Sequence, residues 1–93
     1  MIETKILIKN KVGLHARPAA VFVQTAKKYT ADISVQNLTT GGSAVDAKSI
    51  LMLLTLGVAQ NHEILLRADG KDEKIAMKGL CDLIDRNFGE DEE

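Results

Sequence analysis

The stretch Gly13-Leu14-His15-Ala16-Arg17-Pro18 holds the residues best suited to covalent chemistry in this chain. An alternating apolar run ends just before it, and an alanine-rich run starts just after it. Ala19, Phe22, Val23 and Ala26 recur at the spacing of one buried helix face, which predicts a helix from Ala16 to Ala26. Pro18 suits the first turn of that helix, where a missing N–H forfeits no hydrogen bond. His15 then falls at or beside the N-cap. The first-turn amides, those of Ala16 and Arg17 among them, have no acceptor inside the helix and point toward whatever the ring carries.

These amides, the positive end of the helix dipole and the Arg17 guanidinium make an anion site with a nucleophile inside it. The same positive charges disfavour an imidazolium and leave a ring nitrogen free to attack a phosphorus centre. A phosphorylated ring would carry roughly two negative charges. The dipole would contribute about 0.3–1 kcal/mol to holding it at an exposed site and up to about 2 kcal/mol in a favourable geometry. Arg17 suits the task better than lysine would, because its planar fork donates twice to a phosphate.

A second stretch, Lys48-Ser49-Ile50, places a hydroxyl before another short helical run. Ser49 is an N-cap candidate by its chemistry alone. The run from Ile50 to Leu56 carries more apolar residues than one buried face can use. Ile50, Leu53 and Leu56 share a row; Leu51, Met52 and Leu54 cannot all join it. Part of this surface is therefore expected to be exposed and apolar, as at a docking site, and a flexible methionine there suits several partners.

GLHARPAA together with the later KSI resembles the HPr family, the histidine phosphocarriers of the bacterial phosphoenolpyruvate–sugar phosphotransferase system. The resemblance covers nearly the whole chain in length and element order. It implies that phosphorylated enzyme I donates a phosphoryl group to His15, at Nδ1, with Arg17 as the supporting cation. It implies passage of the group to enzyme IIA domains of sugar permeases. Ala16, Arg17, Ala20, Ile50, Leu51 and Met52 would form the shared docking face. Ser49 matches the serine that an HPr kinase/phosphorylase modifies in many members, and such a change can engage a transcriptional regulator; by itself Ser49 is simply a cap. The family pattern often has glycine where Met52 stands, and the 37–43 hairpin is a few residues longer than usual.

The elements that must position these residues follow in order. Thr4 to Lys9 alternates as a half-buried strand, with Ile6 and Ile8 on one face. The first helix fades after Lys27-Lys28. Asp32 to Gln36 is a second strand with Ile33 and Val35 inward, and Thr39-Thr40-Gly41-Gly42 marks a hairpin returning through Ala44 and Val45. Glu63 to Ala68 is the fourth strand, with His62 as a solvated edge residue at its start. Asp69-Gly70 turns into the last helix, which opens at Lys71 with Asp72 and Glu73 in its first turn. Ala76, Gly79, Leu80 and Leu83 are its buried stripe, Met77 and Ile84 widen it, and Gly89 is its stop. The order β-α-β-β-α-β-α predicts an α+β open-faced β-sandwich: a four-stranded antiparallel sheet with three helices on one face.

The chain of 93 residues is expected to be a single domain over 1–93, with 90–93 a frayed acidic tail. A net charge of −1 and only three aromatics, Phe22, Tyr29 and Phe88, argue against nucleic acid. Lone Cys81, within an apolar helical run, reads as a small buried hydrophobe. With no signal peptide or membrane span visible, it points to a cytoplasmic monomer that does not insert in membranes. His15, His62 and Cys81 have no ligand spacing, so no metal is expected. No glycine-rich nucleotide loop occurs, so no bound ATP or other cofactor is expected. A nucleophile on an open helix end suits a carrier more than an enzyme. Two other functions fit less of the sequence: a regulatory paralogue in nitrogen or catabolite signalling that uses the same histidine, and a non-phosphorylated interaction module whose His15 merely caps a helix.

Overall fold

The computed structural model describes residues 1–89; the acidic 90–93 segment lies outside the described residues. Strands β1 (Ile2–Leu7), β2 (Asp32–Asn37), β3 (Val45–Asp46) and β4 (Glu63–Asp69) form one antiparallel sheet in the order β1-β4-β2-β3. Helices α1 (Ala16–Ala26), α2 (Ile50–Leu54) and α3 (Glu73–Asp85) cover one face, and a 3₁₀ turn at Asn87–Gly89 follows α3. This is the α+β open-faced sandwich that the alternation and helix periods predict.

The covered face is set by strand period. Ile33 and Val35 in β2 and Ile64, Leu66 and Ala68 in β4 are buried, while the residues between them are not. Register aligns these rows across the sheet: Thr4, Leu66 and Val35 lie opposite one another, as do Ile6, Ile64 and Asn37. Phe22 of α1, Leu53 of α2 and Leu80 of α3 close the core from the helical side with no exposed surface. Each such side chain contributes about 1.5–3 kcal/mol by leaving water. On the open face, Arg67 Nε bonds Glu3 at 2.7 Å, a half-exposed pair of small energetic weight.

Several boundaries differ from expectation, each for a physical reason. β1 runs from Ile2 to Leu7, because β4 extends to Asp69 and pairs Ile2 with Ala68. α2 ends at Leu54; the amides of Thr55 and Leu56 close tighter turns onto Met52 and Leu53, and Gly57 then takes a left-handed φ of 61°. α3 starts at Glu73, with Asp72 as N-cap. The Asp72 carboxylate serves another loop instead of its own helix, accepting the amides of Thr30 and Ala31, each at 2.9 Å. α3 stops at Asp85, before Gly89. Asn87 and Phe88 turn left-handed (φ 53° and 58°), which drives the Phe88 ring into the core, 6.4 Å from the Phe22 ring. Gly79 is only half-buried, and the Tyr29 hydroxyl occupies the space a Cβ would need. Cys81 is likewise half-buried, and desolvation pushes its thiol up, with Asp85 and Asp82 adding to the effect.

Candidate functional site

His15 is exposed and occupies the N-cap of α1 in extended backbone, φ −75° and ψ −176°. Its side chain makes no capping hydrogen bond, so the ring is not consumed in holding its own helix. Its carbonyl accepts the Ala19 amide at 2.9 Å, which fixes the His15 backbone at the helix entry. Ala16 and Arg17 are exposed, Pro18 is buried in the first turn, and Ala20 is half-buried. The described residues hold no group of three or more metal-ligating side chains.

The approach to His15 is rigidly built. Asn10 is 1% exposed; its Nδ2 donates to the Gly13 carbonyl at 2.8 Å, and the Gly13 amide returns to the Asn10 carbonyl at 3.2 Å. The Leu14 amide donates to the Val58 carbonyl at 3.0 Å, and the Leu14 side chain is buried. The 57–61 loop therefore underlies the segment that aims His15. That loop is itself zipped to the end of β1, with the Asn61 amide on the Ile8 carbonyl at 2.7 Å and the Ile8 amide on the His62 carbonyl at 2.9 Å.

Ser49 caps α2, its Oγ accepting the Met52 amide at a long 3.4 Å. Ahead of it, Lys48 Nζ donates to the Tyr29 carbonyl at 2.8 Å, which ties the cap to the end of α1. α2 packs against α1 and turns Leu51 (74% exposed), Met52 and Leu54 outward. Leu53 is buried, so the surplus of apolar residues in this run is resolved as expected, by leaving part of it on the surface. Ile50 is half-buried against the core and offers less surface than Leu51.

His62 departs from the sequence reading. It is half-buried, and its Nδ1 faces Asn37 Nδ2 at 3.2 Å and the Ala59 amide at 3.1 Å. Asn10, Val58 and Asp72 also escaped attention as structural supports. Asn10 had a legible signal, an asparagine three residues before a glycine in a turn. The His62–Asn37 contact spans 25 residues and had none.

A half-covered sheet that offers an exposed imidazole at the head of its first helix defines a class of small carrier-type α+β domains. Comparison narrows the class. The family model described as "PTS HPr component phosphorylation site" matches residues 2–86. Phosphocarrier protein HPr of Xylella fastidiosa is 41% identical over 98% of this chain and 99% of its own length. HPr-like protein Crh of Halalkalibacterium halodurans is 40% identical over 92% of this chain and 99% of its own. The crystal structure of HPr-C-His from Thermoanaerobacter tengcongensis superposes with a TM-score of 0.90 at 50% identity, covering 98% of this chain and 99% of that one. The chain also spans about a fifth of the length of the multiphosphoryl transfer proteins it matches. This chain belongs to the HPr family of phosphotransferase-system phosphocarriers.

Proposed function

We propose that this chain is a phosphocarrier that takes a phosphoryl group on His15 from phosphorylated enzyme I and passes it to enzyme IIA domains. The observation that carries this reading is the His15 ring itself: exposed, at a helix N-cap, and free of any capping bond. In the forward step the N–P bond of the donor phosphohistidine breaks as a bond forms between phosphorus and His15, with Nδ1 the nitrogen the family uses. The ring proton leaves to solvent or to the partner. Positioning and charge stabilisation carry the rate, with the helix-start amide of Ala16 and the Arg17 guanidinium facing the transferred group. The second transfer reverses these roles on an enzyme IIA domain.

Leu51 and Met52, with Ala16, Arg17 and Ala20, form the docking face in this reading, and Ile50 backs it from the core side. Ser49 is a regulatory phosphorylation site in the same proposal. A phosphate there would put negative charge within the docking face and oppose acidic partners. The domain extends over 1–93, acts as a monomer and works in the cytoplasm; among the described residues no helix is long and apolar enough to cross a membrane.

The likeness to Crh, the catabolite repression HPr of Bacillus subtilis, favours one second reading, a regulatory paralogue. Label from phosphoenolpyruvate with enzyme I tests the main one. Acid-labile label is expected on the wild-type chain and none on His15→Ala; label persisting on His15→Ala refutes it. Transfer onward to a sugar-specific enzyme IIA separates the sugar branch from the paralogue, which would label yet fail to discharge there.

A further inference from the structure

We infer that His62 is a positioning residue for phosphoryl transfer at His15, acting through the Val58–Ala59 peptide group; this rests on the carrier reading of His15.

The orientation of Asn37 decides the chemistry. Its Oδ1 accepts the amides of Thr39 at 3.0 Å and Thr40 at 3.2 Å, and its Nδ2 donates to the Leu56 carbonyl at 3.1 Å. With the amide fixed this way round, the atom facing His62 is a donor. The Ala59 N–H is a donor as well. Two donors converge on Nδ1, so Nδ1 carries the lone pair and the ring proton sits on Nε2.

The consequence reaches His15 through one planar unit. The Ala59 N–H and the Val58 carbonyl belong to the same peptide group and point in opposite directions across it. On one side the N–H is held by His62 Nδ1 at 3.1 Å. On the other the carbonyl holds the Leu14 amide at 3.0 Å, one residue before His15. Hydrogen bonds in such a chain polarise one another, so loss of the first weakens the second. The same peptide lies where a Cβ on Gly13 would sit, with the Val58 oxygen and the Ala59 Cα the nearest atoms. Any tilt of this plane is therefore felt by both residues that lead into the nucleophile. The flanking residues Gly57 and Asn61 are both left-handed (φ 61° and 72°), so the loop depends on tertiary bonds to keep its shape.

Asparagine at position 62 can present its Oδ1 where Nδ1 stands; glutamine and leucine cannot. Phosphoryl acceptance from phosphorylated enzyme I is timed for wild type, His62→Leu, His62→Gln and His62→Asn, with Leu14 amide exchange followed by NMR. The leucine and glutamine variants are expected to accept label about three- to tenfold more slowly at saturating donor, with KM unchanged and Leu14 exchanging faster. The asparagine variant is expected to recover both. A folded leucine or glutamine variant with wild-type rate and a protected Leu14 overturns the inference, as does a folded asparagine variant that stays slow. A leucine variant that fails to fold leaves the glutamine–asparagine contrast to decide. Should the wild-type chain take no label, the carrier reading falls, and Leu14 exchange alone decides whether His62 holds the peptide.

Discussion

A Cβ on Gly13 would stand 2.2 Å from the carbonyl oxygen of Val58, inside the closest approach that atoms allow. Gly13 also has a φ of +59°, in the left-handed region. Gly13→Ala therefore combines backbone strain with an overlap against main chain that cannot swing aside. Urea unfolding is expected to show a loss of about 2–4 kcal/mol, larger than the roughly 1 kcal/mol of a left-handed alanine alone. Because the displaced atoms lie under Leu14, phosphoryl acceptance by the folded fraction should fall as well.

Asp72 gives the fold a definite response to acid. The Thr30 N–H, and after it the Ala31 N–H, hold its carboxyl below the usual carboxylate range. In the unfolded chain the group titrates at about 3.9. Its contribution is thus fully present above that value and drains away as pH falls through the lower native one. Asp72→Asn is expected to lower Tm at pH 7, and the gap to wild type should close as both are taken below about pH 4. A gap that widened in acid would contradict this sign.

Phe88 reaches the core only because Asn87 and Phe88 both turn left-handed, and its ring then meets Phe22 on α1. Phe88→Ala is expected to destabilise the protein by about 3–5 kcal/mol, reduced by whatever backbone strain the smaller residue relieves. Chemical denaturation measures this directly. Truncation of the chain before residue 87 should cost at least as much.

Leu51 is 74% exposed, so Leu51→Asp should leave stability within about 0.5 kcal/mol of wild type. If this side chain docks partners, KM for phosphorylated enzyme I should rise while the maximal rate holds. Arg17→Lys makes the complementary test. It keeps the charge and loses the fork, so the maximal rate should fall about tenfold with little change in KM.

Local periodicity made the start of α1 at Ala16 and its buried face legible, because the apolar row and the Pro18 turn both lie within one short window, whereas the helix ends at Ala26, before the Lys27-Lys28 pair where the sequence has it fade. The strand faces were legible for the same reason. The ends of α2 and α3 were not. Leu56 fits the helical row of Ile50 and Leu53 yet closes a tighter turn, and Phe88 ends α3's path through a buried ring that no local rule anticipates. At the site, His15 and its neighbours announced themselves by type and order. Their supports did not, since His62 meets Asn37, and Asp72 meets Thr30, only after distant strands have paired.

The strand order β1-β4-β2-β3 sets a timetable for biosynthesis. β1 leaves the ribosome before the rest of the sheet, but among the described residues its one hydrogen-bonding neighbour is β4, which ends at Asp69. β2, too, has just the two-residue β3 beside it until then. The nascent chain must hold β1 and β2 without β4 until Asp69 has emerged and settle late, in a single cooperative closure governed by long-range pairing.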